Sequence, residues 1–401
     1  MNPFIYIPCF IPRDRKEEIL SDLKIFDNAS GDTLSYSVFR GLADQCESSL
    51  ITINVPPVGP FLKCNRRIWF DGYDYVDTAQ KVINISFSTI LIYQHYSIYS
   101  HIYQTIKQHV NKDKFTCILV YSINVSIIKA IIKLKNQGFK IKLILIIPDF
   151  WDDMLEKSSF RNYLKSLMFT DVQDLYTNCD AFVYLTQQMQ EKINVTRPFC
   201  VVEGMYNTDE RRSCPTIKNH KVKRLFYSGM LHEKFGVGQL VRVVHELQNN
   251  SIELRICGYG DYLDKIKYYA QIDPRIQYLG LLKREDVLKE QFDADLLINP
   301  RTSDGDFTKY SFPSKTIEYL ASGTPSIIHK LPGIPKEYYD YCFTFDSCSD
   351  YDVKKGIEGA LNCSPDVLLN MGMKAQRFII EQKNATAQTK KIIDLIKSLQ
   401  N

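Results

Sequence analysis

The sequence of 401 residues does not contain several features that would place it in a class at once. No run approaches the roughly 20 consecutive apolar residues that a membrane-spanning helix needs. The eleven cysteines are scattered and form no CxxC pair, so we expect reduced thiols rather than a disulfide framework or a zinc site. No GxGxxG motif is present, which removes the main support for a nicotinamide-binding domain.

The excess of positive charge is also small. The 50 Lys and Arg residues against 46 Asp and Glu give a net charge of +4. This is too weak to indicate nucleic-acid binding, which requires a concentrated basic face. The start of the chain, MNPFIYIPCFIP, has no basic lead and contains three prolines. We therefore expect a first strand there rather than a signal peptide, and a cytoplasmic protein.

What the chain does contain is a regular alternation of apolar strands and helices. Continuous β-branched runs bounded by helices indicate a parallel sheet that is buried on both faces. We assign no regular structure to residues 56–100, which are aromatic and irregular. In the first half, the pattern predicts strands at 4–8, 49–55, 113–122, 140–149, 180–186 and 199–204, with helices at 33–46, 124–138 and about 160–178.

The polar residues 207–222 predict a linker, after which the alternation restarts. We predict Rossmann-like domains over residues 1–206 and 223–382, with a C-terminal helix over 383–401 that packs back on the first domain. The fold class is therefore α/β, with two doubly wound domains and a cleft between them. Ligands of such sheets bind outside the carboxyl ends of the strands.

Two glycine turns end neighbouring strands of the second half. FYSGM carries Gly229, and ICGYG carries Gly258 and Gly260. Such turns allow a ligand to approach the backbone closely. A plain turn after a strand produces the same pattern, so either motif alone is weak.

The stretch YSFPSKTIEYLASGTP predicts the start of a helix that follows a strand ending in NPR. Pro in the first turn with Ser314 as the N-cap is a typical helix start. We expect free N–H groups at Ser314, Lys315 and Thr316, beside the positive end of the helix dipole. Such a helix end binds anions, phosphate most often. Lys315 and Arg301 would add positive charge to this anion site.

Glu318 lies three residues after Lys315, so the two side chains share a face of the predicted helix. A carboxylate in this position can accept hydrogen bonds from two vicinal hydroxyls, as a ribose presents them. The alternative is a surface carboxylate that complements the helix dipole.

The ordered set of motifs from about Leu225 to Tyr338 resembles the donor half of a family 4 retaining glycosyltransferase with the GT-B fold. It is carried by FYSGMLHEKFGVGQLV, ELRICGYGDYLDKI, RIQYLGLLKREDV, FDADLLINPR and YSFPSKTIEYLASGTPSI. The resemblance implies two Rossmann-like domains that face each other across a cleft, with C-terminal helices crossing back. It also implies transfer of a hexose from a nucleotide-sugar to a glycan or lipid-linked glycan, as in capsule, exopolysaccharide or lipopolysaccharide synthesis. The first half is similar only in its alternation.

The resemblance implies roles for single residues on the sugar and ribose. Of the family's two glutamates eight residues apart, the second binds the ribose hydroxyls and matches Glu318. The first contacts the donor sugar, and its place is held by Tyr310, which cannot accept as a carboxylate does. The role could pass to Asp304 or Asp306. The nucleobase would lie near Gly280–Leu282, with Leu282 as the contact.

The resemblance also implies how the diphosphate is held. The family's backbone donors match residues 313–315, where Pro313 has no N–H, so that Ser314 and Lys315 must serve. The family's basic pair is replaced by Met230 and Phe235, and Lys234 is the natural substitute. Positive charge for the diphosphate would then come from Arg301, Lys234, Lys315 and a helix end, so that no metal is needed. The resemblance implies a UDP- or GDP-linked donor and no further cofactor.

In the first half, IIPDFWDDM crowds aspartates at the end of a strand. The metal-binding DxD motif of sugar transferases belongs to a different fold. The family often has a catalytic histidine at this strand end, where Asp149 stands here. Asp149 would serve catalysis and Trp151 would stack on an acceptor sugar; a loop that caps the next helix is the alternative. DNASGD predicts a glycine loop before a helix, with Gly31 near the acceptor or diphosphate, or a simple turn.

Other readings stay open at this point. An epimerase or a phosphorylase could use the same fold. A degenerate member could bind a nucleotide or a partner without catalysis, as the replacements Tyr310, Met230 and Phe235 would allow. The basic and aromatic patch FLKCNRRIWF, residues 61–70, could hold the protein peripherally at the inner membrane surface, or be an ordinary domain edge.

Overall fold

The computed structural model describes residues 2–23, 29–59, 68–150, 172–206, 214–303 and 305–400. The chain divides into two compact units. The first unit comprises Met1–Met205 and Ala385–Asn401, and the second comprises Tyr206–Asn384. Of the predicted linker, the described residues 214–222 therefore belong to the second unit. Within the described ranges, no helix combines the length and hydrophobicity needed to cross a membrane.

Strands and helices alternate along most of the described chain. The strands are β1 Phe4–Ile7, β2 Leu50–Asn54, β3 Trp69–Phe70, β4 Tyr73–Asp77, β5 Gln80–Asn84, β6 Phe87–Ser88, β7 Thr116–Tyr121, β8 Ile141–Ile147, β9 Ala181–Tyr184, β10 Phe199–Val201, β11 Lys223–Met230, β12 Ile252–Tyr259, β13 Ile276–Tyr278, β14 Leu296–Asn299, β15 Ser326–Ile328 and β16 Phe343–Thr344. The helices are α1 Lys16–Asp22, α2 Ala29–Cys46, α3 Leu91–His109, α4 Val125–Asn136, α5 Val172–Thr177, α6 Val237–Glu246, α7 Leu263–Ile272, α8 Arg284–Asp293, α9 Ser314–Ser322, α10 Asp350–Leu361, α11 Pro365–Gln382 and α12 Ala385–Gln400.

As described, the first unit holds an eight-stranded sheet in the order β10-β9-β8-β7-β1-β2-β5-β4. β4 is antiparallel to β5, and the other neighbours pair in parallel. Every residue of β7 is buried, as expected for a central strand that helices cover on both faces. α12 returns to this unit and packs on α2, where Gln45 Nε2 donates to Thr389 Oγ1 at 2.8 Å.

The second unit, as described, holds a six-stranded parallel sheet in the order β13-β12-β11-β14-β15-β16. Numbered within the unit this is 3-2-1-4-5-6, the order of doubly wound nucleotide-binding sheets. The strand order reverses between β11 and β14. In such sheets the ligand crevice lies at that reversal, outside the carboxyl ends of the strands. The ends of β11 and β14 are therefore where a site is expected.

The structure differs from the sequence-based expectations in several places, among them α1 and β16, which had no assignment. Residues 56–100, which had no assignment, contain the β4–β5 hairpin and the start of α3. The predicted glycine loop at 27–32 is wrong in part, because Gly31 lies in the first turn of α2. The helix predicted at about 160–178 is described only over Val172–Thr177, and its remainder lies outside the described residues.

Candidate functional site

Three side chains converge on Ser228 near the carboxyl end of β11. Lys315 Nζ lies 3.4 Å from Ser228 Oγ, and Gln291 Nε2 lies 3.5 Å from the same oxygen. The backbone N–H of Ser228 donates to the hydroxyl of Tyr319 at 3.0 Å. The helices α8 and α9 thus bring polar side chains to the strand end that flanks the reversal of strand order.

Glu318 lies at the centre of this cluster. Its Oε1 accepts from Lys315 Nζ at 2.9 Å and from Gln291 Nε2, and its Oε2 accepts from Arg284 Nη1 at 2.8 Å. The Glu318 side chain is only 15% exposed. Lys315 is therefore a direct partner of Glu318, as their spacing predicted, whereas Arg284 and Gln291 come from the preceding helix.

The electrostatics keep Glu318 negatively charged. Burial raises the pKa of the carboxyl, but Lys315 and Arg284 outweigh burial and bring the pKa down to about 2. At neutral pH the carboxylate is ionised and can only accept hydrogen bonds. A ligand that donates hydroxyl groups therefore complements this position.

The start of α9 differs in detail from the expectation. Pro313, and not Ser314, is the N-cap, and Ser314 is the first helical residue. The N–H of Thr316 donates to the carbonyl oxygen of Pro313 at 2.9 Å, so it is already used within the turn. The prediction of three free N–H groups is thus wrong for Thr316. Ser314 is exposed, and Lys315 is half-buried with its ammonium directed to Glu318.

The predicted cation Arg301 follows β14 and is held by its own segment. Its Nη2 donates to Ser311 Oγ at 2.6 Å, and its guanidinium lies 4.9 Å from the ring centroid of Phe307. Phe235 lies between this group and Lys234: its ring centroid is 5.8 Å from the guanidinium and 5.2 Å from Lys234 Nζ. Lys234 is exposed, and Tyr310, the residue before Ser311, is half-buried.

The packing of neighbouring strands also requires glycine at these turns. Gly229 and Gly258 lie opposite each other in the β11–β12 pair. Gly258 has φ of +141°, and a Cβ there would clash with the carbonyl oxygen of Gly229. A Cβ at Gly260 would meet the backbone of Leu231. Leu282, predicted to contact the base, packs on a small apolar cluster under the sheet.

The residues predicted for the acceptor side belong to the first unit. Gly31 lies beside Asp32, whose carboxylate accepts from Ile11 N at 2.6 Å and from Arg13 Nη1 at 2.8 Å. Asp149 follows β8 and is exposed. Trp151 lies outside the described residues, as does Asp304 of the donor-sugar prediction.

Sequence reasoning missed Arg284, Gln291, Tyr319 and the hydroxyl of Ser228. Gln291 sits in the charged segment REDVLKEQFD, which is typical of a surface helix, yet it is completely buried. No local signal marks Arg284 either, since it lies 34 positions before Glu318 in the chain. One signal could have been used. It is a polar residue near the start or end of a helix or strand that borders the reversal of strand order.

Comparisons with known proteins show what the second unit is similar to. Residues 210–378 match the family model described as glycosyl transferases group 1. Alpha-monoglucosyldiacylglycerol synthase of Streptococcus pneumoniae is 28% identical over 165 residues. That alignment spans 40% of this chain and 36% of the relative's length.

Similar solved structures cover nearly the whole chain. Sucrose-phosphate synthase from Thermosynechococcus elongatus has a TM-score of 0.66 at 12% identity, covering 100% of this chain and 99% of that one. The lipopolysaccharide outer core galactosyltransferase WaaB has a TM-score of 0.62 at 14% identity, covering 99% of each chain. At these identities the likeness shows the fold alone, and it confirms the predicted GT-B class. The match to the glycosyl transferases group 1 model covers residues 210–378, which include the part of the chain whose motifs carry the resemblance to glycosyltransferases.

Proposed function

We propose that the protein is a retaining glycosyltransferase that moves a hexose from a nucleotide-sugar to a glycan or lipid-linked glycan acceptor. The observation that carries the proposal is Glu318, a buried and ionised carboxylate beside the reversal of strand order. Its role would be to accept hydrogen bonds from the two ribose hydroxyls of the donor. Ser228 and Leu282 would border the ribose and the nucleobase.

The diphosphate would be held by the cations of the same unit. Lys315 reaches the end of β11, and Arg301 and Lys234 flank Phe235 beyond the ends of β14 and β11. Negative charge develops on the leaving diphosphate in the transition state, and such cations stabilise it. Ser314, at the start of α9, would add its backbone N–H. We propose a UDP- or GDP-linked donor and a reaction that needs no metal or further cofactor.

Retention would follow from attack of the acceptor hydroxyl on the face from which the diphosphate leaves. The contribution of the protein would be to position both substrates and to stabilise the departing charge. Tyr310 would lie near the donor sugar in place of the family's first glutamate. Asp149, Gly31 and Trp151 remain our proposal for the acceptor side.

The names of the relatives support a glycan or glycolipid acceptor. One relative is named for a glucosylated diacylglycerol and another for the outer core of lipopolysaccharide. The first unit exposes aromatic residues around α3, among them Trp69, Tyr93 and Tyr96. Such side chains favour the interface between water and lipid. We therefore propose a cytoplasmic enzyme in cell-surface polysaccharide synthesis that contacts the inner membrane surface peripherally.

The rival proposal is a member of the fold that binds a nucleotide or a partner without catalysis. Tyr310 in place of a glutamate and the exposed Met230 in place of a cation favour it. Against it stands the Glu318 cluster, because three donors hold an ionised carboxylate where a substrate ribose would bind.

The first test is calorimetry of the full chain with nucleoside diphosphates and nucleotide-sugars, without added metal. We expect one nucleotide to bind, and Glu318→Ala to weaken it by at least about 10²-fold, since two hydrogen bonds to a charged acceptor contribute roughly 3 kcal/mol or more. Glu290→Ala is the matched control, because the Glu290 side chain is 20% exposed, close to the 15% of Glu318, and is paired with Arg255 at 2.7 Å. Binding that survives Glu318→Ala, or that requires a divalent metal, would overturn the placement of the donor site.

Catalysis itself separates the two proposals. With the nucleotide identified, the matching nucleotide-sugars are incubated with lipid-linked glycan acceptors, and the anomeric configuration of the product is read by NMR. A product with the configuration of the donor supports a retaining enzyme. Nucleotide binding without any transfer to a panel of acceptors would favour the non-catalytic member.

A further inference from the structure

A thiol and an imidazole are in contact near the carboxyl edge of the second unit's sheet. Cys348 Sγ lies 3.7 Å from His329 Nδ1, and Ser303 Oγ lies 3.9 Å from the same sulfur. His329 directly follows β15, and Cys348 lies two residues before α10. Neither Cys348 nor His329 takes part in the proposed donor site.

Neighbouring residues hold both members of this contact in place. His329 is buried, and its ring centroid lies 4.5 Å from that of Phe345. The carbonyl oxygen of Cys348 accepts from Gln239 Nε2 at 2.7 Å, which fixes the backbone of the cysteine. Cys348 is nevertheless only half-buried, so part of the residue is exposed to solvent.

Two features of this environment can assist an attack by the Cys348 sulfur. Neutral His329 with its proton on Nε2 can accept the thiol proton at Nδ1, and the imidazolium that forms then pairs with the sulfur. The N-terminus of α10, capped by Ser349, places its positive dipole end beside Cys348.

The carboxylates nearby oppose this effect, but each of them has a partner. Asp350 accepts from Arg242 Nε at 2.9 Å and from Gln239 Nε2 at 2.8 Å. Asp352 accepts from Ser349 Oγ at 3.0 Å, and Asp346 pairs with Lys355 Nζ at 3.4 Å. Their negative charge is thus partly balanced by these bonds.

Cys363 provides an internal comparison at the opposite end of the same helix. It is half-buried like Cys348, and its thiol donates to the carbonyl oxygen of Gly359 at 3.5 Å. It follows the C-terminus of α10, at the negative end of the helix dipole. The two cysteines therefore match in exposure and differ in the groups that act on the sulfur.

We propose that Cys348 is a thiol-modification site that reacts with low-molecular-weight disulfides. His329 takes the proton of the thiol, and the Cys348 sulfur attacks one sulfur of the disulfide. The disulfide bond breaks, the new mixed disulfide forms on Cys348, and the leaving thiolate takes the proton from His329. The cysteine is oxidised and one half of the reagent is reduced to a thiol. This inference does not depend on the proposed glycosyl transfer.

The test treats the full chain with hydroxyethyl disulfide for a series of times, quenches with acid and follows each cysteine peptide by mass spectrometry. We expect Cys348 to react at least about tenfold faster than Cys363, because the adjacent imidazole of His329 can take the thiol proton as the Cys348 sulfur attacks. The exposed Cys214 reports the effect of accessibility alone. Equal rates at Cys348 and Cys363 would overturn the proposal without any variant.

A variant then tests the part played by the imidazole. The variant is His329→Gln, and its fold is checked by circular dichroism and thermal melting. In this variant, the ratio of the reaction rate of Cys348 to that of Cys363 should fall most of the way to one. The rates at Cys363 and Cys214 should not change. If Cys348 keeps its advantage in a folded His329→Gln protein, His329 is not the proton acceptor and the proposed step is wrong.

Discussion

A buried carboxylate near the start of a helix occurs in both units, and the two are held differently. Asp32, in the first turn of α2, accepts from the backbone N–H of Ile11 and from Arg13. Glu318, near the start of α9, accepts from three side chains, those of Lys315, Gln291 and Arg284.

This difference distinguishes a carboxylate that stabilises the fold from one that can bind a ligand. A backbone N–H cannot turn away without moving the chain, so Asp32 ties the segment around Ile11 to α2. Lys315 and Arg284 are 31% and 45% exposed, so each can rotate toward solvent or toward a phosphate. A ribose hydroxyl can then take a place on the Glu318 carboxylate, which has about four acceptor positions.

The largest expected effect is on the stability of the first unit. Asp32→Ala leaves a buried N–H and a guanidinium unpaired, and breaking such a buried pair costs roughly 3 kcal/mol or more. We expect the unfolding free energy measured by urea denaturation to fall by that amount, while the nucleotide affinity of the folded protein stays unchanged.

Asp74→Ala is the control for that experiment. Asp74 pairs with Lys81 at 2.7 Å, but the side chains are 47% and 64% exposed. Such surface pairs contribute less than about 1 kcal/mol. If Asp32→Ala costs no more than Asp74→Ala, or if it abolishes nucleotide binding, the contrast between the two buried carboxylates fails.

A smaller effect is expected from Arg284→Ala. The Arg284–Glu318 pair is half-exposed on the arginine side, so its loss should weaken nucleotide binding by about 1 kcal/mol or less, a factor of about five. Calorimetry measures the change, and Lys289→Ala, which removes an exposed cation of the same helix, is the control. A loss as large as that of Glu318→Ala would mean that Arg284 binds the nucleotide itself.

The smallest change is expected when the pH is varied between 5 and 8. The pKa of Glu318 lies below its ordinary value of 4.5, at about 2, so its ionised form stabilises the folded protein above pH 4.5. This contribution is lost as the pH falls from about 4.5 toward 2. The difference in unfolding free energy between wild type and Glu318→Gln should therefore be constant from pH 5 to 8 and shrink below. A change within pH 5 to 8 would contradict the ionised, paired carboxylate.

Some parts of the site can be predicted from local sequence because their causes are local. The start of α9 follows from Pro313 and the helical residues after it, and the Lys315–Glu318 contact follows from a spacing of three residues. The glycine turns could also be read from the sequence, but the reason that glycine is required there could not. Gly258 is needed because two strands approach closely, which is a property of the sheet and not of the turn.

Other parts depend on which elements become neighbours. Gln291 is completely buried although its helix has the composition of a surface helix, because α8 packs beside α9 and β11. In the same way, Cys348 and His329 lie 19 positions apart and meet because they flank the same sheet edge. No periodicity in either segment indicates these contacts.

The amino-acid sequence alone determined the α/β class, most strands of the two sheets outside residues 56–100, the helix that carries Glu318 and the resemblance to glycosyltransferases. These depend on hydrophobic period, helix starts and short motifs, all of which act over a few residues. The tertiary structure alone decided the strand order, the reversal between β11 and β14, and the approach of Arg284 and Gln291 to Glu318. The reason is that burial and charge pairing depend on distances between segments that are far apart in the chain.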